Sequence, residues 1–161
     1  MIGQRLRQFR DATREPSADD HALAERLLDA ELRRLFLAQT PRDMAHSAGT
    51  ARWLIERGHD DHDLLVAALL HDVGKGEQRR TDRALWVVAD SAHIARLLAN
   101  DRSPLAFRRA LARTATHSET SAEAMREAGA SALAVGLTLR HHTEAGADRM
   151  LALLQQADAA N

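Results

Sequence analysis

Apolar residues recur at helical spacing along the whole chain, and nowhere do apolar and polar residues alternate as in a half-buried strand. Of the 161 residues, 45% are hydrophobic but only 3% are aromatic, and tyrosine is absent. The interior must therefore consist mainly of Leu, Ala, Val and Ile, and Ala and Leu are strong helix formers. We predict an all-α fold, a single compact helical bundle whose length suffices for one buried core.

Residues that favour helix starts and ends divide this pattern into segments. Ser17, with Asp20 three residues later, predicts the start of a long helix that reaches Phe36. Residues 41–161 are predicted to form the core domain, and residues 1–40 an N-terminal helical extension that packs on the core or mediates homodimer formation. Further helix starts are predicted at Thr40-Pro41, Asp60 to Asp63, Thr81-Asp82, Pro104, Ser118 and Ser131. Helices are predicted to end at Gly58, Gly74 and Gly129, and a last helix is predicted over residues 146–160.

The charge balance and the absence of cysteine exclude several classes of function. With 22 basic and 23 acidic residues, the chain has no excess charge with which to bind nucleic acid or a membrane surface. The lack of cysteine excludes disulfides, thiol catalysis and cysteine-bound zinc. The longest apolar run, Leu64 to Leu70, is too short to cross a bilayer, and the charged N-terminus lacks the apolar centre of a signal peptide. We therefore expect a soluble cytoplasmic protein.

Five of the nine histidines, together with two aspartates, occupy positions that suggest a metal site. They are spread over different predicted helices, often near a helix end, and helical bundles build metal sites from side chains that converge in this way. The candidate ligands are His46, His71, Asp72, His117, His141, His142 and Asp158. A lone histidine on a helix is more often a surface or hydrogen-bonded residue, and four are assigned to that class: His21, His59, His62 and His93.

The dipeptide His71-Asp72 directly follows the apolar run LLVAALL. A buried helix has little reason to end in two titratable side chains unless they find strong partners. A carboxylate has two oxygens, so Asp72 is suited to bridge two ions while His71 binds one. Imidazole and carboxylate ligands suit Fe, Mn, Ni or Zn, and two such ions can activate a water for attack on a phosphoryl group.

The string LLVAALLHDVGKGE, residues 64–77, resembles the signature of the HD superfamily of metal-dependent phosphohydrolases in its HD-x-GK variant. The resemblance extends from about residue 42 to the end of the chain. It implies a first metal held by His46, His71, Asp72 and Asp158, and a second metal that shares Asp72 and adds His117, His141 and His142. Lys75, the chain's only lysine, matches the lysine that faces the substrate phosphate. Arg79, Arg80 and Arg83 follow closely and are expected either to extend an anion-binding rim or to form a solvated face.

The resemblance implies hydrolysis of a phosphoester in a small substrate, a nucleotide or cyclic (di)nucleotide, with Asp72 and Lys75 as catalytic residues and Lys75 and Arg79 as substrate-binding residues. The chain lacks the Gly-Tyr-Pro that follows the double histidine in the HD-GYP subgroup, which argues against cyclic di-GMP as the substrate. Two alternatives use the same ligands. One is a diiron oxygenase, and the other is a regulatory domain that binds metal or nucleotide without catalysis.

Overall fold

The computed structural model describes residues 15–75 and 102–161, and in these ranges it contains helices and no strand. The all-α prediction is confirmed for this part of the chain. The elements are α1 (Ala18–Leu27), α2 (Ala30–Leu37), α3 (Pro41–Glu56), α4 (His62–Leu70), the 3-10 turn Val73–Lys75, α5 (Ala106–Glu127), α6 (Ala132–Arg140) and α7 (Arg149–Ala160).

Most predicted helix starts carry the expected side-chain cap. Ser17 and Asp20 form a reciprocal capping box at the start of α1. The side chains of Thr40, Asp61 and Ser131 each accept a hydrogen bond from a backbone N–H in the first turn of α3, α4 and α6. Gly129 follows α5 with a φ of 87°, a conformation that glycine adopts without strain.

The single long helix predicted from Ser17 to Phe36 is wrong. Leu28 adopts an extended conformation, which ends α1, and the Asp29 side chain then accepts from the Leu32 N–H to begin α2. Leucines at helical spacing continue across this break, so the apolar pattern conceals it. The capping preference of Asp29 was the available signal.

The prediction that Ser118 starts a helix, with His117 at its opening, is also wrong. Helix α5 runs without interruption from Ala106 to Glu127, so His117 lies well inside it. A serine is tolerated in a helix interior, and here it does not mark a boundary. The last helix begins at Arg149 rather than residue 146, after a cap by Asp148.

Helix α4 is apolar on every side, and all its residues from Leu64 to Leu70 are buried. It packs against α3, α6 and α7, while the 3-10 turn that follows it packs against α5. Leu23, Leu32 and Phe36 of the N-terminal helices belong to the same buried cluster as α4. The domain boundary at residue 41 stays a prediction.

No described helix is long and apolar enough to cross a membrane. Several predictions fall outside the described residues: the first 14 residues of the N-terminal extension, the helix that starts at Thr81-Asp82, and the positions of Arg79, Arg80, Arg83 and His93.

Candidate metal centre

The seven candidate ligands lie together around the C-terminal end of α4. They come from α3, α5 and α7 and from the residues that directly follow α4 and α6. His71 and His141 occupy equivalent places, because each is the C-cap residue of a short apolar helix. Donor atoms of His46, His71 and Asp72 lie within 4.8 Å of one another, and so do those of His117, His141 and His142. We call the first set, together with Asp158, which lies beside His46 and His71, the first donor group; the second set, with Asp72 shared, is the second donor group.

In the first donor group, two imidazoles face two carboxylates. Asp158 Oδ1 lies 2.9 Å from His46 Nε2 and 3.5 Å from His71 Nε2. Asp72 Oδ2 lies 3.5 Å from His71 Nε2 and 3.9 Å from His46 Nε2. Two atoms that bind one ion at about 2.0–2.2 Å lie at most about 4.4 Å apart, so each of these four histidine–carboxylate distances is short enough for both atoms to bind the same ion.

The second donor group consists of three imidazoles. His117 Nε2 and His142 Nε2 lie 2.9 Å apart. The His141 ring lies between neighbours, 5.3 Å from the ring centre of His117 and 3.8 Å from that of His142. The exposed His142 leaves this group open to solvent on one side, whereas His117 and His141 are buried.

Asp72 joins the two groups, since each of its oxygens faces a different one. Oδ2 faces His46 and His71, as described above. Oδ1 lies 3.5 Å from His117 Nε2 and 4.0 Å from His141 Nε2. The side chain is almost completely buried. The carboxylate therefore lies between the two donor groups, with one oxygen towards each.

Two of the imidazoles are oriented by backbone carbonyls. His71 Nδ1 lies 3.0 Å from the Ala68 oxygen, and His141 Nδ1 lies 2.6 Å from the Thr138 oxygen. A carbonyl only accepts, so each Nδ1 carries the proton that it donates and each Nε2 is left to bind something else. This arrangement is common for metal-binding histidines.

Three buried atoms of the centre have no hydrogen-bond partner among the described residues: His71 Nε2, Asp72 Oδ1 and His141 Nε2. Buried polar atoms are rarely left unsatisfied, because desolvation without a partner costs about 1–3 kcal/mol each. All three are lone-pair donors that point into the same centre. The donor set and its unsatisfied atoms thus fit divalent metal ions.

The surrounding charges keep both carboxylates ionised. Burial opposes the charge on Asp72, but His71 and Lys75 outweigh it and hold the pKa of Asp72 well below its usual range. Burial likewise opposes ionisation of Asp158, yet the hydrogen bond with His46 and the proximity of the His71 imidazole lower its pKa well below the usual range. The centre is therefore anionic where cations would bind.

The imidazoles differ in how they respond to this environment. Burial lowers the pKa of His71, but the carboxylates of Asp72 and Asp158 outweigh burial and raise it. Burial and the charge of His71 lower the pKa of His141 to about 3, and burial also lowers the pKa of His142. His141 and His142 are thus neutral at physiological pH, as ligands must be.

Residues outside the ligand set support it, and sequence reasoning missed them. The Gln155 side chain donates to the His141 carbonyl at 3.0 Å and to the Thr143 carbonyl at 2.6 Å, which ties the double-histidine turn to α7. Gln39 donates to the Leu69 carbonyl at 3.1 Å and accepts from the buried Ser47 hydroxyl. Only the position of Gln155, one helical turn before Asp158, offered a signal.

Lys75 also lies at the centre, where its ammonium contacts Asp72 Oδ2. Its side chain is 25% exposed, so it lies at the solvent edge. The described histidines assigned to the surface class lie away from both donor groups: His21 is exposed, and His62 Nε2 lies 3.0 Å from the Leu27 carbonyl.

Comparison of the chain with protein-family models, with curated proteins and with solved structures gives no match. The case for function therefore depends on the residues themselves.

Proposed function

We propose that the chain is a metal-dependent phosphohydrolase that uses a pair of divalent ions to hydrolyse a phosphoester in a nucleotide or cyclic nucleotide. The observation that carries the proposal is the placement of Asp72. Its two carboxylate oxygens face two separate donor groups, 3.5 Å from His71 Nε2 on one side and 3.5 Å from His117 Nε2 on the other. A buried bridging carboxylate of this kind is what a two-ion site requires.

The ligand assignments follow from the geometry of the donor groups. His46, His71, Asp72 and Asp158 would hold one ion, and His117, His141 and His142 with Asp72 would hold the other. When bound, such a pair supplies a water of lowered pKa and offsets negative charge on a phosphoryl group. Fe, Mn, Ni and Zn suit these nitrogen and oxygen ligands.

The exposure of the proposed ligands indicates the side from which a substrate can bind. His46, Asp158 and His142 lie towards solvent, whereas His71, Asp72, His117 and His141 are buried beneath them. The substrate must therefore approach over the exposed side of the centre.

Lys75 lies on that exposed side. In this proposal its ammonium exchanges contact with Asp72 for contact with a phosphoryl oxygen and offsets the charge that develops there. Because ammonium is a compact donor, it suits a phosphate oxygen. Arg79, outside the described residues, is proposed to extend this anion-binding edge.

A substrate screen tests the proposal. Protein purified without chelator is assayed with bis(4-nitrophenyl) phosphate, 4-nitrophenyl phosphate, nucleotides and cyclic nucleotides in Mn²⁺, Fe²⁺, Co²⁺, Ni²⁺ or Mg²⁺. We expect phosphoester cleavage that EDTA abolishes and that one of these ions restores.

Two outcomes would contradict the proposal and point elsewhere. Oxygen uptake by the iron-loaded protein with no phosphoester cleavage would favour the oxygenase alternative. Bound metal with no turnover of any substrate would favour a domain that binds without catalysis.

A further inference from the structure

The 3-10 turn Val73–Lys75 packs against helix α5, and it comes closest at Gly74. The Gly74 N–H donates to the Ser121 hydroxyl oxygen at 2.9 Å. A Cβ atom at Gly74 would lie 2.5 Å from the His117 carbonyl oxygen and 2.6 Å from the Ser121 backbone nitrogen. The turn thus touches the backbone of α5, and only glycine fits there.

This contact joins the residues that build the two halves of the centre. Asp72 immediately precedes the turn, and its carbonyl accepts a hydrogen bond from the Lys75 N–H at 3.0 Å. His117 lies one helical turn before Ser121, on the same face of α5. Ser121 therefore contacts the turn next to Asp72 and lies on the helix that carries His117. The Asp72 Oδ1 and His117 Nε2 atoms are 3.5 Å apart.

The three buried imidazoles of the centre differ in where they lie in their helices. His71 and His141 cap the helices that carry them, and the carbonyl three residues earlier orients each ring. His117 instead lies inside the 22-residue helix α5, so its place relative to Asp72 follows that of the helix. A fully buried serine in direct hydrogen bond to the turn is suited to fix that placement.

We infer that Ser121 is a positioning residue whose bond to Gly74 holds His117 at the distance from Asp72 that the second ion requires. This inference rests on the proposed two-ion function. It goes further, because it assigns the affinity for the second ion in part to Ser121, which is not a member of either donor group. The first donor group shares Asp72 but not His117 and draws otherwise on α3, α7 and the C-cap of α4, so its ion should depend far less on this contact.

Stepwise Co²⁺ titration of the metal-free protein tests the inference, with the visible absorption of each Co²⁺ equivalent and calorimetry as readouts. In Ser121→Ala we expect the first Co²⁺ to bind as in the wild type. The second should bind about 10–100-fold more weakly, the usual range for loss of an outer-shell partner, with an altered absorption spectrum. Ser118→Ala, which removes a neighbouring hydroxyl of α5 outside this contact, is the matched control and should leave both steps unchanged.

Gly74→Ala perturbs the same contact from the other side and keeps the inference testable if Ser121→Ala is unstable. It should weaken the second step in the same way, because the added methyl group must push the turn away from α5. Equal weakening of both steps, or no weakening of either, would overturn the inference while leaving the two-ion proposal intact. A wild-type protein that takes up fewer than two Co²⁺ ions would instead overturn the proposed function, and the inference with it.

Discussion

The two donor groups offer different chemistry on either side of Asp72. The first places two carboxylates beside two imidazoles, whereas the second has three imidazoles and shares one carboxylate oxygen. Oxygen ligands suit harder ions, and imidazole suits Zn, Cu, Fe and Ni. The first group is also richer in negative charge. The two groups are therefore not equivalent, and we expect a metal ion to bind to the first group before the second.

The largest effect is expected where the two groups meet. Asp72→Ala removes an oxygen ligand from both groups, so both ions and all metal-dependent turnover should be lost. Metal analysis and the phosphoester assay measure the two effects, and Asp60→Ala, at an exposed site, is the control. Metal-dependent turnover that survives in Asp72→Ala would contradict the bridging role.

Single-ligand changes should separate the groups. Asp158→Ala should abolish binding at the first position, because it removes a carboxylate that contacts both His46 and His71. His142→Ala should weaken only the second position, by at least about 100-fold, since loss of a ligand exceeds the 10–100-fold cost of an outer-shell change. Calorimetric titration of both variants with Mn²⁺ and Zn²⁺ measures this. Loss of the same step in both variants would show that the groups are not separate sites.

A smaller effect is expected at Lys75, which touches Asp72 without being a metal ligand. Lys75→Met should retain both ions and lower kcat/KM by about 10²–10³-fold, the range for loss of one charge-stabilising donor. Lys75→Arg, which keeps the charge, should lose less. If metal content falls in parallel with turnover in Lys75→Met, the lysine supports the centre rather than the substrate.

The smallest effect on metal binding is expected at a buried carboxylate remote from the two groups, where we expect a change in stability only. Asp20 caps α1 and pairs with Arg52. Burial raises the pKa of Asp20, but hydrogen bonds from Ser17 and Arg52 outweigh burial and lower it. A carboxyl with a lowered folded-state pKa stabilises the fold above its unfolded value, and this contribution is lost as the pH falls through the folded-state value.

Asp20→Asn should therefore lower the free energy of unfolding at pH 7 by about 1–3 kcal/mol, the usual cost of losing a hydrogen bond to a charged group. The deficit should shrink as the pH falls below the ordinary value of 3.8, because the wild type loses the same contribution. Urea unfolding at pH 7 and at pH 3 measures it, and metal content should not change. A deficit that is equal at both pH values would contradict the role of the charge.

The general fold was predictable from the sequence because it depends on local signals. Ser17, Thr40 and Ser131 cap helices as their side chains favour, and the apolar run before His71 forms the buried helix that its pattern predicts. The failures came from such signals too: the cap at Asp29 was overlooked, and a serine that resembles a cap did not begin a helix. Ser118 resembles a cap, yet α5 continues past it.

The residues of the two donor groups could be named from the sequence as candidate ligands, but their geometry could not. The spacing of His46, Asp72 and Asp158 along the chain contains no information on which carboxylate oxygen faces which imidazole. That depends on how α3, α4 and α7 pack. The same holds for Ser121, because its role depends on the approach of a turn 47 residues earlier in the chain.

Anomalous diffraction from crystals of protein loaded with Mn²⁺ or Zn²⁺, recorded at the metal absorption edge, tests the bridging role of Asp72 most directly. We predict two peaks about 3.5–4 Å apart, one beside each oxygen of the carboxylate. Metal peaks that lie away from Asp72, or a loaded crystal with a peak in only one donor group or in neither, would contradict it.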